Sequence, residues 1–302
     1  MQGRFAQLSD PHLTTLANVP GRDLWSKRAL SYLSWRRKRR FEHRREVLDA
    51  LQEDLPMAEL DQLLVTGDLT HIGHPDEFRQ AADWLRQLGE PADVSVIPGN
   101  HDSLVRTPWH DSYGLWADYL AGDDSPADAQ QPYPSLRVRG DIAFIGLSSG
   151  CPKPPLLASG TVAEEELQQL PALLKDTAQR GLFRVVCVHH CPIPGLEKWR
   201  KRLTNAEALS AILQEHGAEL ALHGHGHRAL YNELETSVGP LPVISVPSAS
   251  AMGLHGAHIA GYNLYGVERT GSGWKLNIES RSYCRDSEAF RPEENRCVEL
   301  AR

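Results

Sequence analysis

VSVIPGNHD, Val94–Asp102, is the stretch that decides the architecture. A short β-branched run stops at Pro98 and Gly99, and the chain then delivers Asn100, His101 and Asp102, side chains able to bind metal or move protons. In open α/β sheets ligands bind at the carboxyl edge, where the loops leaving the strands converge. The arrangement recurs on both sides. FAQLSDPH (5–12) ends in Asp10 and His12, QLLVTGD (62–68) in Asp68, VVCVHH (185–190) in His189 and His190, and LALHGHGH (220–227) in His225 and His227. The five segments can therefore share one site.

Further apolar runs at 142–147, 243–246, 262–267 and 274–278 read as strands, and helical patterns fall at 41–55, 76–88, 163–179 and 205–216. Thr161 and Glu164 stand at capping-box spacing before the third helix. Residues 241–283 hold strand-like runs separated only by Gly, Ser and Pro turns. The expectation is an α/β fold of two stacked mixed sheets flanked by helices. We read residues 1–302 as a single domain with a basic insertion at about 20–45, since compact α/β folds reach this length as one unit. Residues 123–134, rich in Asp, Ala, Gln and Pro, read as a surface loop.

Composition places the chain among ordinary globular proteins, with 41% apolar and 24% charged residues. The first residues lack the zones of a signal peptide, and no run of about 18 apolar residues occurs, so a cytoplasmic enzyme is expected. Five cysteines without a CxxC pair argue against a disulfide framework or a thiolate zinc site, and Cys187, inside an apolar run, reads as a small buried hydrophobe. The net charge of −7 conceals nine Lys or Arg against one acid, Glu42, in residues 27–45.

The donors are nitrogen and oxygen only, which suits Mn, Fe, Zn or Co. Asp10, His12, Asp68, Asn100, His189, His225 and His227 are too many for one ion. They suit two divalent transition-metal ions sharing a carboxylate, a device that stabilises both the attacking and leaving oxygens in phosphoryl displacement. Asp68, central in the order, is the natural bridge.

SDPH (Ser9–His12), GD (Gly67, Asp68), GNHD (Gly99–Asp102), HH (His189, His190) and GHGH (Gly224–His227), in this order, resemble the five motifs of the calcineurin-like metallophosphoesterase superfamily. The resemblance implies a four-layer αββα sandwich. It also implies Asp10, His12, Asp68 and His227 on one ion, Asp68, Asn100, His189 and His225 on the other, and a bridging hydroxide that attacks phosphorus. His101 resembles the catalytic histidine that protonates or stabilises the leaving oxygen. Asp102, His190 and His223 are expected to orient the donors or line the substrate site. His43, His71, His74, His110 and His216 read as structural or solvent-exposed, and His255 and His258 as loop residues or pocket lining.

In motif style the chain most resembles bacterial class III cyclic-nucleotide and glycerophosphodiester phosphodiesterases, which implies phosphodiester hydrolysis. The alternatives are a pyrophosphatase of a nucleotide-linked lipid, of the UDP-diacylglucosamine type, and a non-catalytic metal-binding scaffold. No nucleic-acid recognition motif is evident. For residues 21–45 two readings stand. One is a flap whose Trp25, Leu30, Leu33 and Trp35, with Arg36–Arg40, meet an anionic or lipid-linked substrate at the inner membrane surface; the other is a helix docked on the body with its arginines solvated.

Overall fold

The structure, a computed structural model, describes residues 2–125 and 129–301, so part of the expected 123–134 loop lies outside the described residues. Its strands are β1 (Gln2–Leu8), β2 (Gln62–Val65), β3 (Val94–Val96), β4 (Ser135–Arg139), β5 (Ile142–Leu147) and β6 (Phe183–Val188), followed by β7 (Leu220–His223), β8 (Leu230–Thr236), β9 (Gly239–Ser245), β10 (Gly261–Arg269), β11 (Gly273–Cys284) and β12 (Ala289–Ala301). One sheet runs β12-β11-β10-β1-β2-β3 and the other β4-β5-β6-β7-β9-β8. In the first, β1, β2 and β3 are parallel and the β10–β12 side is antiparallel. In the second, β5, β6, β7 and β9 are parallel between antiparallel edges.

The period-two alternation of the strands builds the layers. On β6, Val185 and Cys187 join Phe5, Leu64, Tyr265 and Trp274 in the core between the sheets, while Val186 and Val188 face outward. The outer face of the first sheet is covered by the helices α3 (Arg45–Asp54) and α4 (Pro75–Leu88), through Leu48, Leu51, Phe78 and Leu85. After the short α5 (Ala117–Leu120), helices α6 (Glu164–Gln179) and α7 (Ala206–His216) cover the second through Leu167, Leu170, Leu209 and Leu213. Two mixed sheets flanked by helices is the expected αββα arrangement. Because α3, α4, α6 and α7 serve as crossovers between parallel strands, β1, β2, β3, β6 and β7 all end on one side of the molecule. That common edge carries the site.

Three local expectations need correction. The helix placed at 41–55 begins at Arg45, since His43 and Arg44 are extended and pair with the Ala251 strand segment. Thr161 does not cap α6; its hydroxyl bonds Thr204, and the capping box forms instead between His74 and Glu77 on α4. Strands β4, β8 and β12 lie at sheet edges, where one-sided burial leaves no continuous apolar run to read.

The insertion is helical. α1 (Arg28–Ser34) passes through a π-helical turn (Trp35–Arg39) into α2 (Arg40–Glu42), with the Arg40 N–H donating five residues back to Trp35 O. Trp35, on the apolar surface of the flap in one reading and docked on the body in the other, is buried against Leu16, Ile72 and Leu104 and fastens the segment to the body. Among the described residues no helix is long and apolar enough to cross a membrane.

Candidate active site

The loops that leave β1, β2, β3, β6 and β7 are laced together by hydrogen bonds across the two sheets. His225 N donates to Asp10 Oδ2 at 3.0 Å, Gly224 N to His189 O at 3.0 Å, and His189 Nδ1 to Thr66 O at 2.7 Å. Asp10, His12, Asp68, Asn100, His101, His189 and His225 are all buried; His227 is part-exposed at the rim. Seven non-glycine residues among those described have positive φ, and five are Asp10, His12, Asp68, His225 and His227, between 40° and 64°. Such backbone costs on the order of 1 kcal/mol per residue and persists only where the surroundings over-determine it, commonly at active sites. Two glycines permit the approach. Gly67 has φ 104°, and a Cβ there would strike the His189 ring; a Cβ at Gly99 would strike the Asp68 carboxylate.

Asp68 is central. Its Oδ1 accepts from His101 N at 2.7 Å, while Oδ2 lies 3.4 Å from His189 Nε2 and 4.0 Å from His12 Nε2. Among the described residues, three sets of metal-competent atoms lie within 4.8 Å of one another: His12–Asp68–His101, Asp68–His189–His225 and His12–His43–His227. His227 Nε2 also stands 3.1 Å from Asp10 Oδ1.

A test of fit for metal comes from the atoms that protein partners leave unsatisfied. His12 Nε2, Asn100 Oδ1, His189 Nε2 and His225 Nε2 are among the buried polar atoms without a well-formed hydrogen bond. Each such atom costs roughly 1–3 kcal/mol unless something else meets it. His12 Nδ1 is held by Thr70 O at 2.9 Å and His189 Nδ1 by Thr66 O, which fixes each tautomer with Nε2 turned inward, as metal-binding imidazoles require. Burial, with neighbouring histidines, holds His12 and His225 well below the usual range, so both are neutral donors. His189 differs: burial works to lower it, but the carboxylates of Asp68 and Asp10 outweigh burial and lift it to about 9. The donor set fits metal.

The expected supporting residues have definite partners. Asp102 accepts from the backbone N–H of Asp68, Gly99 and Thr70, so it braces the Asp68 loop rather than the His101 ring. Burial, with the Asp68 charge, pushes its carboxyl up to about 7. Both ring nitrogens of His190 are engaged, by Ser149 and Ala158 O, and its ring packs 4.3 Å from that of His225. His223 is buried, its carbonyl accepting from Gln7. His258 is exposed and the side chain of His255 lies outside the described residues.

Three residues were missed. His43, read from sequence as structural or exposed, stands with its ring 4.6 Å from that of His12, its Nδ1 bound to Ser250 Oγ at 2.9 Å. His71, read the same way, is buried, and its carbonyl accepts from His101 Nδ1 at 2.6 Å. Arg39, one of five consecutive cations read either as solvated or as facing an anionic substrate and not singled out among them, turns inward. Its half-buried guanidinium donates from Nη1 to His101 Nε2 at 2.8 Å, in the field of Asp68 and Asp10.

A sequence profile of calcineurin-like phosphoesterases matches residues 3–229. The chain belongs to the calcineurin-like phosphoesterase family. It is 26% identical over 211 residues to a probable cyclic nucleotide phosphodiesterase of Vesicomyosocius okutanii, covering 68% of this chain and 77% of that one. It is also 26% identical over 185 residues to a 3′,5′-cyclic-nucleotide phosphodiesterase of Nostoc, covering 60% of each, so the chain spans less than two thirds of that relative. A dimetal phosphatase from Danio rerio shares the fold, at 14% identity, with 99% of both chains covered and a TM-score of 0.60. This phosphoesterase is therefore a metal-dependent hydrolase of phosphoric esters, with divalent ions held by His and Asp residues.

Proposed function

We propose that the protein is a binuclear phosphodiesterase, with Asp10, His12, Asp68 and His227 holding one ion and Asp68, Asn100, His189 and His225 the other. The observation that carries this reading is the Asp68 carboxylate, whose Oδ2 faces His12 on one side and His189 on the other. When bound, the ions bring the acidity of water toward neutral pH and offset charge on the phosphoryl oxygens. Mn, Fe, Zn and Co all suit the donors.

The chain's own part is to orient. Thr66 O and Thr70 O fix the imidazoles, and Asp102 pins the Asp68 loop. His101, its Nδ1 donating to the His71 carbonyl and its Nε2 accepting from Arg39, stabilises the leaving oxygen together with that guanidinium, and protonates it only after Nε2 has itself taken up a proton. Arg39 supplies a half-buried, permanently charged donor for a non-bridging phosphoryl oxygen. The two relatives named as cyclic nucleotide phosphodiesterases support a diester substrate. The Arg39-bearing insertion keeps a second substrate open, the pyrophosphate of a nucleotide-linked lipid. A complete set of donors disfavours a non-catalytic scaffold. On this reading residues 1–302 act as one domain whose insertion, at about 20–45, forms a wall of the site.

The test is a panel on the manganese-loaded protein: a simple aryl diester, an aryl monoester, cyclic nucleotides and a nucleotide diphosphate lipid. The diesters should be turned over best; preference for the monoester would contradict the reading. Arg39→Gln should lower kcat/KM for the diester about 10- to 100-fold with metal content unchanged, as expected for a charge-assisted phosphate contact. Arg39→Lys should restore only part of the loss, since a point charge replaces the guanidinium fork. Unaltered kinetics in Arg39→Gln would remove Arg39 from the site's chemistry.

A further inference from the structure

Apolar exposure in this chain is concentrated. Among the described residues eight large hydrophobic side chains stay exposed, and all but Val238 fall in three segments: 25–41, Leu156, and 196–199. Trp25 is 91% exposed, Leu156 71% and Trp199 62%; Leu30, Leu33, Phe41 and Leu196 are also exposed. The segments adjoin one another. Lys27 Nζ donates to Leu157 O at 3.0 Å, two residues on from Trp25 and one from Leu156. Ala158 N donates to Arg200 O at 2.9 Å and Gly160 N to Arg202 O at 3.1 Å, which ties the same loop to the Trp199 segment.

Positive charge has the same address. Arg36, Arg37, Lys38 and Arg40 are exposed on the insertion, and Lys198, Arg200, Lys201 and Arg202 are exposed on the other arm, on a chain of net charge −7. The nearby acids are engaged: Glu42 accepts from Gly253 and Leu254 N–H groups, Glu197 pairs with Arg228, and Asp23 contacts His74. Arg200 lies over the Trp199 ring, 5.2 Å from its centroid, and Arg40 over Phe41 at 4.5 Å. Both arms border the site, because Arg39 reaches His101, Ala158 O holds His190, and Glu197 pairs with Arg228 just beyond His227.

We propose that residues 25–41 and 196–202, with Leu156 between them, form one face that binds an anionic membrane surface and presents the metal site to it. Tryptophan and leucine enter the boundary between headgroups and acyl chains, while flanking Lys and Arg are drawn to anionic lipid. The pairing of exposed indole with clustered charge favours this partner over a purely polar one. The inference uses the phosphoesterase reading only to say what lies beside the face. Vesicle binding is measured without substrate, so its failure and that of the phosphodiesterase reading are separate results.

The experiment is co-sedimentation of the full chain with large vesicles of phosphatidylcholine alone or with 30 mol% phosphatidylglycerol, at low and high salt, beside single-stranded RNA binding and sedimentation velocity of the free protein. Three variants accompany it: Trp25→Ala with Trp199→Ala; Lys198, Arg200, Lys201 and Arg202 to Gln; and Arg36, Arg37, Lys38 and Arg40 to Gln. The wild type should bind the anionic vesicles, weaken as salt screens the charges, and ignore neutral ones. Each variant should lose affinity about tenfold or more while hydrolysing a soluble aryl diester at the wild-type rate. Because the arms are altered separately, one unfolded variant leaves the others to decide. No binding to anionic vesicles, binding unchanged in all three variants, tighter binding to RNA than to vesicles, or self-association abolished by the Trp25/Trp199 double variant would each overturn the proposal.

Discussion

Asp68→Ala should lose diester turnover by roughly 1,000-fold or more and fail to retain its full complement of metal, an effect larger than that of any other single substitution here. The estimate follows from several kcal/mol of charge stabilisation that the ions supply, at about 1.4 kcal/mol per tenfold in rate. Among the described residues, Asp68 is the carboxylate with an oxygen within 4.0 Å of both His12 and His189, so its removal affects both groups of donors at once. The fold should survive. Burial opposes the Asp68 charge, but His189, His101 and His12 outweigh it and hold the carboxyl well below the usual range, so the metal-free variant loses some stability while the apolar cores, to which Asp68 does not belong, keep the fold. Asp68→Asn sharpens the comparison, since an amide oxygen still accepts from His101 N but brings no charge. It should melt somewhat below the metal-free wild type, because the buried histidines lose their counter-charge, and remain deficient in metal. Elemental analysis with circular dichroism reads both, and a fully loaded, active Asp68→Asn protein would contradict the role given to the carboxylate.

His101→Ala should behave differently: metal bound at the wild-type level and kcat lower by about 100-fold or more, the range for losing a general acid or an electrostatic partner. The distinction rests on geometry. Nδ1 of His101 is held by a backbone carbonyl and Nε2 faces Arg39, whereas the other imidazole nitrogens turned to Asp68, those of His12 and His189, lack well-formed partners. Diesters with better leaving groups should lose less, because a leaving oxygen that is already a weak base gains little from a proton donor. A steady-state comparison of two aryl diesters of different leaving-group acidity, beside metal analysis, separates the outcomes. Loss of metal from His101→Ala would move it among the ligands, and unaltered kcat would remove it from the chemistry.

The convergence of the five motifs on one edge was legible because each closes an apolar run, and three of them share one local sequence of events. An apolar run closes, a glycine bends the chain, and a donor appears, as at Gly67–Asp68, Gly99–Asn100 and Gly224–His225. The layers were legible for a related reason, since buried parallel strands such as β6 leave continuous apolar runs. Arg39 was not legible. Among five consecutive cations nothing local marks the one that turns inward; that choice is made by Trp35 docking on Leu16, Ile72 and Leu104, a contact between distant parts of the chain. His43 and His71 were hidden likewise. His43 reaches the site because the chain turns extended after Glu42 and pairs with Ala251, and His71 acts through its carbonyl, which carries no side-chain signal. The second basic arm, Lys198–Arg202, attracts notice only once Ala158 and Gly160 bring it beside the insertion.

The central claim, that Asp68 joins two groups of donors around two ions, is tested most directly by counting metal in the purified chain. Protein stripped with a chelator, reloaded with manganese and freed of excess should carry two ions per chain by elemental analysis. Diester hydrolysis should vanish on stripping and return with the second equivalent. One ion or fewer at saturation, with hydrolysis indifferent to chelator, would contradict the account.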